Sequence, residues 1–136
     1  MKILELLCEI LFYPFMTKSI GLNEIYTNLH LRKIFRLCYR LIKHTIREYR
    51  PNELYGSQWL DLMMMHAMKC DGDNDIDAES TLIELIDNNT DVLENRIKKS
   101  TIQRFLKALL GEVQNPKYVK LLIALVNCEG EAVKGN

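Results

Sequence analysis

Residues 31–50, LRKIFRLCYRLIKHTIREYR, decide the fold because two periodicities coincide in them. At about 100° per residue, Arg32, Arg36, Arg40, Lys43, Arg47 and Arg50 fall within an arc of about 80°. Leu31, Ile34, Phe35, Cys38, Leu41, Ile42, Thr45, Ile46 and Tyr49 take the opposite side. One face is therefore expected to pack and the other to present charge. Pro51 disfavours helical geometry in the residue before it, so this helix is predicted to stop at Arg50, after about twenty residues or roughly 30 Å.

Working outward, the same period recurs. Ile3, Leu6, Leu7, Ile10 and Leu11 share a face, and Pro14 is expected to end that helix. A short helix is predicted around residues 23–29, after Gly21. Downstream, Ser57 to Cys70 has the composition of a buried helix, and Met63, Met64 and Met65 point in different directions, so at least one fills core. Asp77, Thr90 and Ser100 are candidate N-caps for three further helices, and Asn115-Pro116 opens a last one through about Cys128, with Gly130 as its stop. No stretch alternates with period two between turn signals, so a sheet has no support. The expectation is an all-α chain, a single domain over residues 1–136, with seven or eight helices stacked as an armadillo-like bundle or solenoid.

The 136 residues are enough for one core, and 48% apolar content is ordinary for a folded protein. Eighteen basic residues balance eighteen acidic ones, which gives no signature of a nucleic-acid or membrane-surface binder. Cys8, Cys38, Cys70 and Cys128 form no CxxC pair and read as reduced thiols. The apolar start holds Glu5 and Glu9 and lacks a cleavage site, so it fails as a signal peptide. The chain opens inside a helical pattern and stops at Gly135-Asn136, which suggests a fragment of a longer protein.

The cationic stripe needs a counterpart. Like charges three or four apart destabilise by about 0.2–0.5 kcal/mol a pair, so its five neighbouring pairs cost roughly 1–2.5 kcal/mol. Between Asp71 and Glu94 lie nine carboxylates and no lysine or arginine, and this segment is one candidate to neutralise the stripe. Plain solvation of the heads is a second. A phosphate-bearing ligand or an acidic partner surface is the third, because guanidinium groups grip phosphate oxygens in a fork.

Other chemistry is thin. DGDNDIDAESTL, residues 71–82, spaces Asp71, Asp73 and Asp75 like a calcium loop, but Ile76 replaces the glycine and Leu82 the final glutamate. His30, His44 and His66 are scattered and suggest no metal site. No nucleophile-elbow, P-loop or dinucleotide fingerprint appears, so neither an enzyme nor a cofactor is expected.

The run IFRLCYRLIKHTIREYRPNE resembles a helix of the RIH domain, the homology domain of ryanodine and inositol trisphosphate receptors, in its inositol trisphosphate receptor form. ILELLCEILFYPF resembles the family's preceding helix, LIELIDNNTDVLENRI its asparagine-rich junction, and YVKLLIALVNCEGEAVKGN its closing segment. The resemblance implies an armadillo-like domain on the cytosolic face of the endoplasmic reticulum membrane, within a homotetrameric calcium-release channel, beside a β-trefoil domain and without membrane contact of its own. It implies inositol 1,4,5-trisphosphate as ligand of the full-length protein, held in part by a Tyr-Arg-Lys run. Tyr49 and Arg50 match its first two positions, and Pro51 stands where the lysine would be. Arg36, Arg40, Lys43 and Arg47 would then form a supporting basic stripe. With that lysine replaced and the family's earlier basic helix absent, the isolated chain is expected to bind the ligand weakly or not at all.

Overall fold

The central helix is shorter than its charge pattern suggests. The computed structural model describes residues 2–47, 49–70, 72–87, 89–110, 116–128 and 131–132. Among them α1 spans Lys2–Met16, α2 Leu22–Thr27, α3 Leu29–Ile46, α4 Arg50–Gly56, α5 Leu60–Lys69, α6 Ala78–Ile86, α7 Thr90–Asn95, α8 Lys99–Leu110 and α9 Pro116–Val126. Short 3₁₀ turns cover Ser57–Trp59 and Gly72–Asn74. The fold is all-α, as the periodicities indicate. Among the described residues α4 is separate from α3, a boundary the charge pattern does not place.

Several boundaries move, each for a local reason. Pro14 lies inside α1, which continues to Met16. The helix closes one turn later in a Schellman arrangement: Ser19 N–H donates to the Pro14 carbonyl at 2.9 Å and Lys18 N–H to the Phe15 carbonyl at 3.2 Å. Lys18 takes the left-handed conformation this closure needs, at φ 57°. Asn28 ends α2 and starts α3, accepting the Leu31 N–H on its side chain at 3.1 Å. Pro51 falls in the first turn of α4, where its missing N–H costs nothing, so it opens a helix instead of closing one. Asn52 Nδ2 donates to the Thr45 carbonyl at 2.7 Å and ties the new helix to the last turn of α3. Asn89, not Thr90, caps α7, accepting the Val92 N–H at 3.2 Å. The carboxylate of Asp77 pairs with Arg40, while its backbone carbonyl takes the Thr81 N–H at 3.2 Å. α8 starts at Lys99, one residue before the expected cap Ser100, and Asn115 and Gly130 lie outside the described residues. Contrary to the expectation of no sheet, Asn127–Cys128 pairs antiparallel with Glu131–Ala132, a ladder of two residues a side.

The chain divides into two compact units, Met1–Leu85 and Ile86–Asn136. The first buries Leu4, Leu7, Cys8, Leu11 and Phe12 of α1 with Phe35, Cys38, Tyr39, Ile42 and Ile46 of α3. From α5 it adds Leu60, Met63, Met64, His66 and Ala67. Two of the three consecutive methionines thus fill core. Cys8, Cys38 and Cys70 are buried free thiols, and burial pushes the Cys8 thiol up to about 12, so it stays protonated at neutral pH. In the second unit Val92, Leu93, Ile97, Ile102, Leu121 and Leu125 are buried.

One expectation for α3 fails. Ile34 and Leu41 were assigned to the packed side, yet they are 49% and 51% exposed. Tyr49, assigned with them, is also exposed, because the chain leaves α3 after Ile46. The buried line runs 35, 38, 39, 42, 46, which rotates the packed face toward Tyr39.

Gly56 ends α4 with φ −61° and ψ −30°, ordinary right-handed helical values. A Cβ there meets Leu85 Cδ1 at 3.4 Å and Ile46 Cγ2 at 3.9 Å, which is normal contact. Gly56→Ala is expected to stabilise by about 0.4–1 kcal/mol by narrowing the unfolded ensemble. A higher urea midpoint checks this, and a lower one means Leu85 does not yield.

Candidate functional site

The cations of α3 meet their own chain. Arg32 Nη1 donates to the Tyr26 carbonyl at 3.0 Å and to the Asn74 side chain. Arg36 forks both Nε and Nη2 onto the Asp75 carbonyl, at 3.1 and 2.7 Å. Arg40 pairs with the Asp77 carboxylate. Lys43 Nζ donates to Ser80 Oγ at 3.2 Å, and Arg47 Nε lies 3.4 Å from Glu84 Oε1. Partner numbers rise with the cation numbers, so residues 74–84 run alongside α3 in the same direction. Thr81 Oγ1 adds a buried 3.0 Å bond to the Tyr39 carbonyl.

Of the candidate counterparts for the stripe, the geometry selects the acidic segment of the same chain. The match is not charge for charge: two rungs use carboxylates, and the others use a carbonyl, an amide and a hydroxyl. The arginine side chains of the two ion pairs are about half exposed, so each pair contributes on the order of 0–1 kcal/mol. Together the two pairs offset part of the like-charge cost along the stripe. Arg36, Arg40, Lys43 and Arg47 are therefore engaged, and the stripe gives no support to docking of an acidic partner there.

Tyr49 and Arg50 occupy a different place, the corner between α3 and α4. Tyr49 is the extended residue that starts α4 and is 55% exposed. Arg50 is the first residue of α4, and its Nη1 lies 3.0 Å from Glu53 Oε2. Glu53 is buried, so the ion pair orients the guanidinium from beneath while its side chain stays 54% exposed. The structure thus separates the corner pair from the four stripe residues, of which Arg36, Arg40 and Lys43 lie within α3 and Arg47 is the residue that caps its end.

Sequence reasoning missed a second cluster. His66 is fully buried, and its Nδ1 lies 2.6 Å from the Tyr39 hydroxyl. Rings of Phe15, Phe12 and Phe35 surround it at centroid distances of 4.5, 6.0 and 6.4 Å. Burial pushes its pKa down to about 4 and raises that of Tyr39, so both are neutral at physiological pH. Its Nε2 is buried without a hydrogen-bond partner. The signal was available: Met63, His66, Ala67 and Cys70 recur at helical spacing on one side of α5. A closed imidazole in an aromatic cage has structural work to do and no access to a substrate. Among the described residues no group of three His, Cys, Asp or Glu side chains could hold a metal ion, and no helix is long and apolar enough to cross a membrane.

The chain belongs to the RIH domain family, whose model matches residues 1–136. It is similar to the inositol 1,4,5-trisphosphate receptor itr-1 of Caenorhabditis elegans, with 29% identity over 113 residues. That match covers 82% of this chain and 4% of the relative, so the chain spans a small part of the relative's length. No solved structure matches it.

Proposed function

We propose that this chain is a non-catalytic module of an intracellular ligand-gated calcium-release channel of the inositol trisphosphate receptor type. In this reading it stands on the cytosolic face of the endoplasmic reticulum, within a homotetramer, and relays ligand-dependent movement between neighbouring domains. Tyr49 and Arg50 form one edge of an inositol trisphosphate cleft whose other wall is a β-trefoil domain. The observation that carries the reading is the whole-chain family match together with the exposed, Glu53-oriented Arg50 at the α3–α4 corner. An arginine already steered by a buried carboxylate presents a guanidinium of fixed direction, which suits a phosphate oxygen.

Titration calorimetry of inositol trisphosphate against the full-length protein tests this. Saturable binding is expected, with the dissociation constant raised about tenfold or more by Arg50→Gln, the loss of a charged hydrogen bond. The isolated 136 residues are expected to bind weakly or not at all. A folded full-length protein that ignores the ligand, or an R50Q variant of unchanged affinity, refutes the assignment.

A further inference from the structure

α3 has a third face that neither the core nor the acidic segment uses. Ile34, Leu37 and Leu41 are 49%, 58% and 51% exposed and follow one another at spacings of three and four. Their line stands roughly 100–130° around the helix from both the buried line and the cations. It is therefore not an overflow of the core. The charges beside it have one sign: α3 contains no aspartate or glutamate. Lys33 flanks the line, is exposed, and makes no ion pair among the described residues. By contrast, the exposed line Ile3, Leu6, Ile10 and Tyr13 on α1 is flanked by Lys2 and Glu9, which carry both signs and prefer no partner charge.

We propose that the Ile34–Leu37–Leu41 line is a docking surface for an amphipathic helix of a partner protein, with apolar residues at i, i+3 and i+7 flanked by carboxylates. The spacing is that of a helix laid along a helix, where a few apolar anchors fix the register. Lys33, on a helix that carries no carboxylate, selects an acidic partner and speeds its approach. A second copy of the chain fits poorly, since a two-fold contact through this face sets Lys33 against its own copy. A bilayer fits poorly as well. The line is one residue wide and holds no aromatic side chain, whereas interfacial helices bury a broad face with Trp, Phe and Leu. This inference uses only the geometry of α3 and is independent of the inositol phosphate reading.

The test is a fluorescence-anisotropy titration of the chain with a labelled helical peptide of about twenty residues, carrying leucines at that spacing and flanking glutamates. A second peptide keeps the leucines and replaces every glutamate by lysine. The acidic peptide is expected to bind at least about tenfold tighter than the basic one. Leu37→Asp should weaken it by about tenfold or more, and Leu41→Gln should weaken it in the same direction. Because both side chains are half exposed, the circular-dichroism melts of the variants should follow that of the parent. Equal affinity for the two peptides overturns the proposal, as does affinity unchanged in both variants. Dimerisation in sedimentation that Leu37→Asp abolishes assigns the face to a second copy. Phosphatidylserine vesicles that bind the chain through Leu37 while the acidic peptide does not bind assign it to a membrane. Either result also overturns the proposal.

Discussion

Phe12→Ala lowers the unfolding free energy of the chain by about 3–5 kcal/mol, the largest loss expected from any single truncation here. Phe12 is fully buried and its ring is the meeting point of four elements. It stacks on Trp59 of the 3₁₀ turn at 5.3 Å and on His66 of α5 at 6.0 Å, and it meets Tyr39 of α3 edge-on at 6.2 Å. The surrounding rings are stiff, and Tyr39 and His66 are fixed by their mutual hydrogen bond, so the hole left by the ring cannot close by local collapse. A domain of this size is stable by about 5–15 kcal/mol in total, so the variant stands near the edge of folding. Urea unfolding followed by tryptophan fluorescence measures the loss directly, since Trp59 is the only tryptophan and touches the site of change. Tyr13→Ala is the internal control: its neighbour in sequence is 63% exposed and should cost no more than about 0.5 kcal/mol. A loss below about 1.5 kcal/mol for Phe12→Ala would show that the ring cluster does not organise the core.

How much of this was legible in the sequence depends on the kind of interaction. The helices of α1, α3 and α5 follow from the recurrence of large apolar residues, and the stripe with its acidic counterpart follows from charge spacing, since both are properties of consecutive residues. Helix ends were read less well because proline has two meanings. Pro14 sits one turn before a Schellman closure made by Lys18 and Ser19, and Pro51 sits in a first turn, and in neither place does a missing N–H end a helix. The two-sided character of α3 was hidden because Ile34, Leu37 and Leu41 are as apolar as Phe35 and Ile42. Only the position of α1 distinguishes the two sets, and that is a tertiary fact. The candidate corner at Tyr49 and Arg50 was legible by resemblance alone. Nothing in its spacing announces that Glu53 lies buried beneath the guanidinium.

The second large effect concerns pH. His66 in the unfolded chain titrates near its usual 6.5, while in the folded chain burial holds it at about 4. Between these values the unfolded state binds a proton that the folded state refuses, so stability rises with pH across the window. The contribution is fully present above about pH 6.5 and is lost progressively as pH falls toward 4, for about 3 kcal/mol in all. The physical cause is visible around the ring. The Tyr39 hydroxyl and Nδ1 share one proton, three phenylalanines line the rest, and no carboxylate hydrogen-bonds the imidazole, so a charge placed there has nothing to answer it. His66→Asn removes the titration while keeping a polar group near the Tyr39 hydroxyl. Urea midpoints of both chains at pH 7.5 and pH 4.5 isolate the term, because every surface carboxylate contributes equally to each and cancels in the difference. The parent chain should lose about 2–3 kcal/mol more than the variant over that interval. Parallel losses in the two chains would mean that the folded state accepts the proton at His66, and that water or a moving Tyr39 reaches a cage that the geometry closes.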